Sequence, residues 1–91
     1  MKIAIIKDIR SFLSIAQIYG YVFKNNYCVK TVVYDGQGYV IEIKINLFNG
    51  VIEFRFWNDS ISDELSIDDK KYLLKDIDYL VKWVDIECIK E

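Results

Sequence analysis

The stretch "YLLKDIDYLVKWVDIE", residues 72–87, decides how this sequence is read. Leu74, Ile77, Val81, Val84 and Cys88 recur at spacings of three and four residues. That period predicts an amphipathic helix. Its start is legible as well: Ser66 is a suitable N-cap, and Asp68 and Asp69 suit the positive end of a helix dipole. Asp78 and Lys82 fall at i, i+4, where opposite charges support a helix. The first stripe, widened by Leu73 and Leu80, is expected to face a sheet. Tyr72, Tyr79, Trp83 and Ile86 then fall on the far side of the helix. Tyrosine and tryptophan tolerate partial exposure, but they are also enriched at interface hot spots. The second stripe is therefore expected to be a protein contact, with a two-fold homodimer as its simplest form.

The middle of the chain alternates with period two. In "YVIEIKINL" (39–47), Tyr39, Ile41, Ile43, Ile45 and Leu47 share one face. "VIEFRFW" (51–57) repeats the pattern with Ile52, Phe54 and Phe56 inward. Each reads as a half-buried strand. Asn49-Gly50 between them is a strong signal for a type I′ hairpin turn, which sets Leu47 against Ile52, Ile45 against Phe54 and Ile43 against Phe56.

"YCVKTVVY" (27–34) is β-branched and precedes the turn cluster "DGQG" (35–38), so it reads as a third strand of a meander. A bulged turn places Tyr27, Val29, Thr31 and Val33 inward. An even-numbered loop instead sets Lys30 opposite Ile43 on the core side. Burying an ammonium is costly, so the bulge is preferred.

At the N-terminus Asp8 reads as a helix cap. Ile9, Phe12, Leu13, Ala16 and Tyr19 form an apolar face, and Gly20 is a suitable stop. "KIAII" (2–6) fits a first strand or an early helical turn equally well. The fold expected is one α+β domain over residues 1–91. It has a three-stranded antiparallel meander, or four strands if 2–6 joins it, with an N-terminal and a C-terminal helix packed on one face.

Composition narrows the function. Hydrophobic residues make up 53% and charged residues 29% of the chain, which suits a globular domain with an ordinary core. No apolar run reaches the roughly 20 residues of a membrane span. "IAII" is too short for a signal-peptide core, so a cytoplasmic setting is expected. Residues 1–34 carry five basic and one acidic residue, whereas residues 59–91 carry five basic and ten acidic. This polarity suits a charged partner.

There is no histidine, so the commonest general base and the usual nucleophile triads are missing. Two cysteines sixty positions apart, Cys28 and Cys88, do not form a zinc set and are expected to be reduced thiols. Asp59, Asp63, Glu64, Asp68 and Asp69 form an acidic segment without the central glycine and spacing of a calcium loop. It is expected to be a solvated loop and cap, or a second contact surface. No cofactor and no metal are expected.

On the outer face of the sheet the preferred registers set Lys30, Lys44 and Arg55 side by side, with Tyr34 and Trp57 nearby. A basic row with aromatics suits an anion or a single-stranded nucleic acid, although the chain as a whole is acidic.

The function expected is therefore non-enzymatic protein binding with self-association. Lysine outnumbers arginine ten to two, proline is absent and isoleucine abounds, the usage of an AT-rich genome. A phage- or mobile-element-encoded inhibitor of a host system, anti-CRISPR-like, is the most concrete form of this expectation. The alternative is a small nucleic-acid-binding module working through Lys30, Lys44, Arg55 and Trp57.

Overall fold

A computed structural model describes residues 2–34, 39–56 and 65–85. Six strands form one antiparallel sheet: β1 (Lys2–Ile6), β2 (Val22–Lys24), β3 (Tyr27–Tyr34), β4 (Tyr39–Asn46), β5 (Val51–Phe56) and β6 (Val81–Asp85). Their order across the sheet is β2-β3-β4-β5-β1-β6. Two short helices, α1 (Ile9–Ile15) and α2 (Ile67–Leu73), and a run of 3-10 turns over Lys75–Leu80 complete the described elements. This overturns the expected three-stranded meander beneath two helices.

The correction comes from residues 72–87. Ser66 does cap α2: its hydroxyl accepts from the Asp69 N–H at 3.1 Å, and Asp69 Oδ2 accepts from the Ser66 N–H at 3.3 Å. This is a capping box. The helix nevertheless ends at Leu73, and Leu74 takes φ −100, ψ 12. The 3-10 turns that follow are broken at Ile77, with φ −118 and ψ 21. From Val81 the chain is extended, so Asp78 and Lys82 are not a helical pair.

The reason is a coincidence of periods. Val81 and Val84 fit a helical stripe, but Val81, Lys82 and Trp83 also alternate buried, exposed and half-buried in the sheet. β-branched and aromatic side chains suit that pleated surface. The deciding term is non-local. "KIAII" forms β1, which is apolar on both faces and so suits a position with a neighbour on each edge. β5 covers one edge (Ala4↔Ile52) and β6 the other (Ala4↔Trp83). Lys2 Nζ lies 3.8 Å from Asp85 Oδ2 where these strands end.

The β4–β5 hairpin is present with a different turn. Ile45 pairs with Ile52, Ile43 with Phe54 and Ile41 with Phe56, a two-residue displacement from the expected register. Side chains alternate with period two, so a slip of two leaves every inward residue inward. Four residues, Leu47 to Gly50, make the connection. Asn46 Oδ1 accepts from the N–H groups of Phe48 (2.8 Å) and Asn49 (3.3 Å). The Gly50 N–H closes the loop on the Asn46 carbonyl at 2.7 Å. Gly50 alone in this loop has positive φ, +76°. It also touches β1: the Ile6 N–H donates to its carbonyl at 2.8 Å.

The register of β3 is the even-numbered alternative. Cys28 pairs with Ile45, Lys30 with Ile43 and Val32 with Ile41. The expected bulge, with Tyr27, Val29, Thr31 and Val33 inward, is overturned. Lys30 avoids the cost of burial by reaching outward to Asp76. Asp8 caps α1 as expected, with Oδ1 accepting from Arg10 N at 3.1 Å and Ser11 N at 3.4 Å, and Oδ2 from Ser11 Oγ at 2.8 Å.

Ala4, Ile6, Cys28, Ile41, Ile43, Ile45, Ile52 and Val81 of the strands form one buried cluster with Phe12 of α1, Ala16, Tyr21, and Leu73, Leu74, Ile77 and Leu80 of the 67–80 region; Val32, Phe54, Phe56 and Trp83 pack half-buried against it. Ile41, Ile43 and Ile45 are fully buried at its centre. The opposite face of the sheet is different: none of its described residues is buried.

Two outcomes follow from this arrangement. The Lys7 N–H bonds to the Leu80 carbonyl at 2.8 Å, in the same register as β1–β6. Alternation along the ladder then makes Ala4 and Trp83 a non-hydrogen-bonded pair, with close α-protons. An Ala4–Trp83 Hα–Hα cross-peak is expected in NOE spectra, in place of the i, i+3 pattern of a helix over 81–85. An added Cβ at Gly50 would lie 3.0 Å from Ile6 O. Gly50→Ala is therefore expected to lower the unfolding free energy by more than about 1 kcal/mol in urea titrations.

Candidate functional site

The expected aromatic stripe is divided among three elements. Tyr72 lies on α2 and is 56% exposed, and Lys75 Nζ sits 4.4 Å from the centre of its ring. Tyr79 lies in the 3-10 turns and is 58% exposed. A hydrogen bond with Tyr19, the largest influence on the Tyr79 phenol, raises its pKa above the usual value. Trp83 is on the core face of β6 and packs against the buried cluster. Ile86 lies outside the described residues. Tyr72, Tyr79 and Trp83 therefore do not line one helix face, because no helix joins them.

The basic row is also dispersed. Lys30 points to the core side. Lys44 stands opposite Glu53, and Arg55 opposite Glu42. Arg55 Nη1 is 3.8 Å from Glu42 Oε1, and Lys44 Nζ lies 4.1 Å from the centre of the Tyr27 ring. Charge on this face thus alternates in sign around Glu42, Lys44, Glu53 and Arg55. Trp57 lies outside the described residues, as do Asp59, Asp63 and Glu64 of the acidic segment. Of its other members, Asp69 closes the capping box, and Asp68 is exposed in the first turn of α2. Among the described residues no three His, Cys, Asp or Glu side chains are grouped to hold a metal ion. No described helix is long and apolar enough to cross a membrane.

A concavity lies between β3 and the 67–80 region. It is an open recess of about 380 Å³, lined by Lys30, Thr31, Val33, Tyr72, Lys75 and Asp76 among others. Lys30 is its best-connected member. Its ammonium is 3.6 Å from Asp76 Oδ2 and 5.5 Å from the centre of the Tyr21 ring. Tyr21 is buried, edge-on to Phe12 at 5.3 Å between ring centres. Burial, with the Asp76 carboxylate adding to it, raises the Tyr21 phenol far above its ordinary value. The phenol is thus a neutral support for Lys30.

Nothing in the periodicity of 72–87 pointed to this recess, because Lys75 and Asp76 reach it from turns rather than a helix. One local signal was available. "VFKNNYCVK" (22–30) has a two-residue Asn25-Asn26 link between β-rich segments, the mark of a tight hairpin. Asn25 indeed takes φ 54°, and β2 folds back on β3 through it.

Cys28 is a free thiol with no exposed surface. Burial pushes its pKa up from 9.0 to about 11. A raised thiol pKa contributes stability below the unfolded value and loses it as pH rises through the folded one. At about pH 8 the thiol stays protonated and unreactive. Iodoacetamide is expected to leave Cys28 unmodified in the native protein and to label it once denaturant is added, as read by peptide mass spectrometry.

Comparison with known protein families, characterised proteins and solved structures finds no match to this chain.

Proposed function

We propose that this protein works by binding protein rather than by catalysis, and that it self-associates through the uncovered face of its sheet. The observation that carries the reading is the pattern on that face. Glu42 and Lys44 follow one another on β4, and Arg55 and Glu53 stand opposite them on β5. A two-fold axis in the interface, parallel to the strands and between β4 and β5, lays Lys44 of one copy over Glu53 of the other. The same axis lays Arg55 over Glu42. The charge pattern is therefore complementary to itself, as an isologous interface requires.

Apolar side chains flank the charged centre on both sides. Val22, Val29 and Val33 lie toward the β2 edge, and Ile3, Ile5 and Val84 toward the β6 edge. The same axis brings each apolar flank over the other, so desolvation there adds to the charge pairing. A nucleic-acid reading draws less support, since each cation of the expected row now faces a carboxylate or lies on the other side of the sheet. The non-catalytic part of the proposal rests on the absence of histidine from the sequence. Its assignment to a phage or mobile element, as an inhibitor of a host system, rests on composition.

Light scattering after size exclusion tests self-association. The wild type is expected at twice the 10.8 kDa chain mass, and a folded Glu53→Lys variant at the single mass. A wild type that stays at the single mass at about 100 μM, far above the concentration at which a micromolar dimer forms, overturns the proposal.

A further inference from the structure

β3 is eight residues long and β2 is three. β2 pairs only with Tyr27, Cys28 and Val29. Beyond Val29, the edge of β3 that faces away from β4 has no strand beside it among the described residues. Which backbone groups are left there follows from the ladder. The Leu47 N–H donates to the Asn26 carbonyl at 2.8 Å, in the same register as β3–β4. In an antiparallel ladder, hydrogen-bonded and non-hydrogen-bonded pairs alternate. Residues 28, 30, 32 and 34 therefore bond toward β4, and the N–H and C=O groups of Thr31 and Val33 point to the open edge.

The chain preceding β2 does not cover that edge. In the register of β2, Gly20 would stand opposite Thr31. Instead the Gly20 N–H bonds to Gln17 O at 3.1 Å and the Tyr21 N–H to Ala16 O at 3.0 Å, in the turn that ends α1. The recess of about 380 Å³ runs along this open stretch, and Thr31, Val32 and Val33 form its sheet side. Tyr72, Lys75 and Asp76 form the other side.

We propose that the open edge of β3 at Thr31–Val33 takes a short extended segment of a partner protein as an added strand, with an acidic side chain seated between Lys30 and Lys75. This rests on the reading of the chain as a protein-binding protein and names a second surface for it. Residues of an added strand opposite Thr31 and Val33 exchange two hydrogen bonds each with them. The residue between, opposite Val32, shares the face of Val32. It therefore points into the recess, toward the two lysines. Lys30 is already matched by Asp76 at 3.6 Å, and among the described residues Lys75 has the Tyr72 ring beneath it at 4.4 Å and no carboxylate partner. Among the described residues the recess thus carries one more cation than carboxylate, which selects Asp or Glu at the central position. The exposed Val33 offers apolar surface to the flanking residue opposite it.

The test uses two synthetic pentapeptides, acetyl-Thr-Val-Glu-Val-Thr-amide and the same peptide with lysine at the centre, titrated into ¹⁵N-labelled full-length protein. The glutamate peptide is expected to move the Thr31 and Val33 amides downfield and to slow their exchange with solvent. The lysine peptide is expected to bind about tenfold more weakly. Lys75→Glu is expected to reverse that preference, which a merely structural role for Lys75 would not do. Absence of shifts at Thr31 and Val33 at millimolar peptide, or equal binding of both peptides, overturns the proposal. The Glu53→Lys variant, altered on the other face, is expected to bind the glutamate peptide as the wild type does. Peptide binding lost while the dimer persists sinks the groove alone, and a monomer that binds peptide sinks the sheet-face dimer alone.

Discussion

Everything in the sheet depends on β1 having a neighbour on both edges. Four of its five residues, Ile3 to Ile6, are apolar and buried or half-buried, and its backbone is joined to β5 through Ile6 and Gly50 and, just past its end, to the start of β6 through Lys7 and Leu80. Remove either neighbour and a row of backbone groups beside Ala4 and Ile6, in the core, loses its partners, which is more costly than losing a surface contact. This requirement draws residues 81–85 out of the helix their own spacing suggests. It also fixes Gly50 as a position without a side chain, since its Cβ would occupy space that the Ile6 backbone already fills.

The sheet's middle was legible in the sequence because two local signals, alternation and a turn, acted on adjacent strands. Its exact register was not. Asn49-Gly50 suggested a two-residue turn, but Asn46 offers its own side chain to two loop N–H groups, and this favours a four-residue loop. The error cost nothing in side-chain orientation because it was even. The error in β3 was odd, and it exchanged the two faces. Lys30 is no buried charge: a lysine stem can lie along apolar surface while its ammonium reaches a carboxylate. Asp76, forty-six residues later in sequence, is that carboxylate.

The candidate surfaces were legible only in part for the same reason. Tyr72 and Tyr79 were correctly placed at the surface, and Trp83 was not, because only an intact helix would turn it outward. Lys44 and Arg55 share a face as expected, yet the partners opposite them depend on the register. The β3 edge is set by a difference in strand lengths and by the turn at Gly20, neither of which has a periodic trace in the sequence.

The place of β1 also governs the order in which the molecule can be assembled. β2 to β5 pair with strands close in sequence, and such hairpins form quickly. β1 belongs with residues about fifty and eighty positions downstream. Closing loops of that length carries an entropic cost before any contact repays it, and topologies of this kind fold slowly. During synthesis on the ribosome, β1 has to wait for β6, with its apolar faces exposed in the interval. The joining of β1 to both β5 and β6 is therefore the pairing expected to form last.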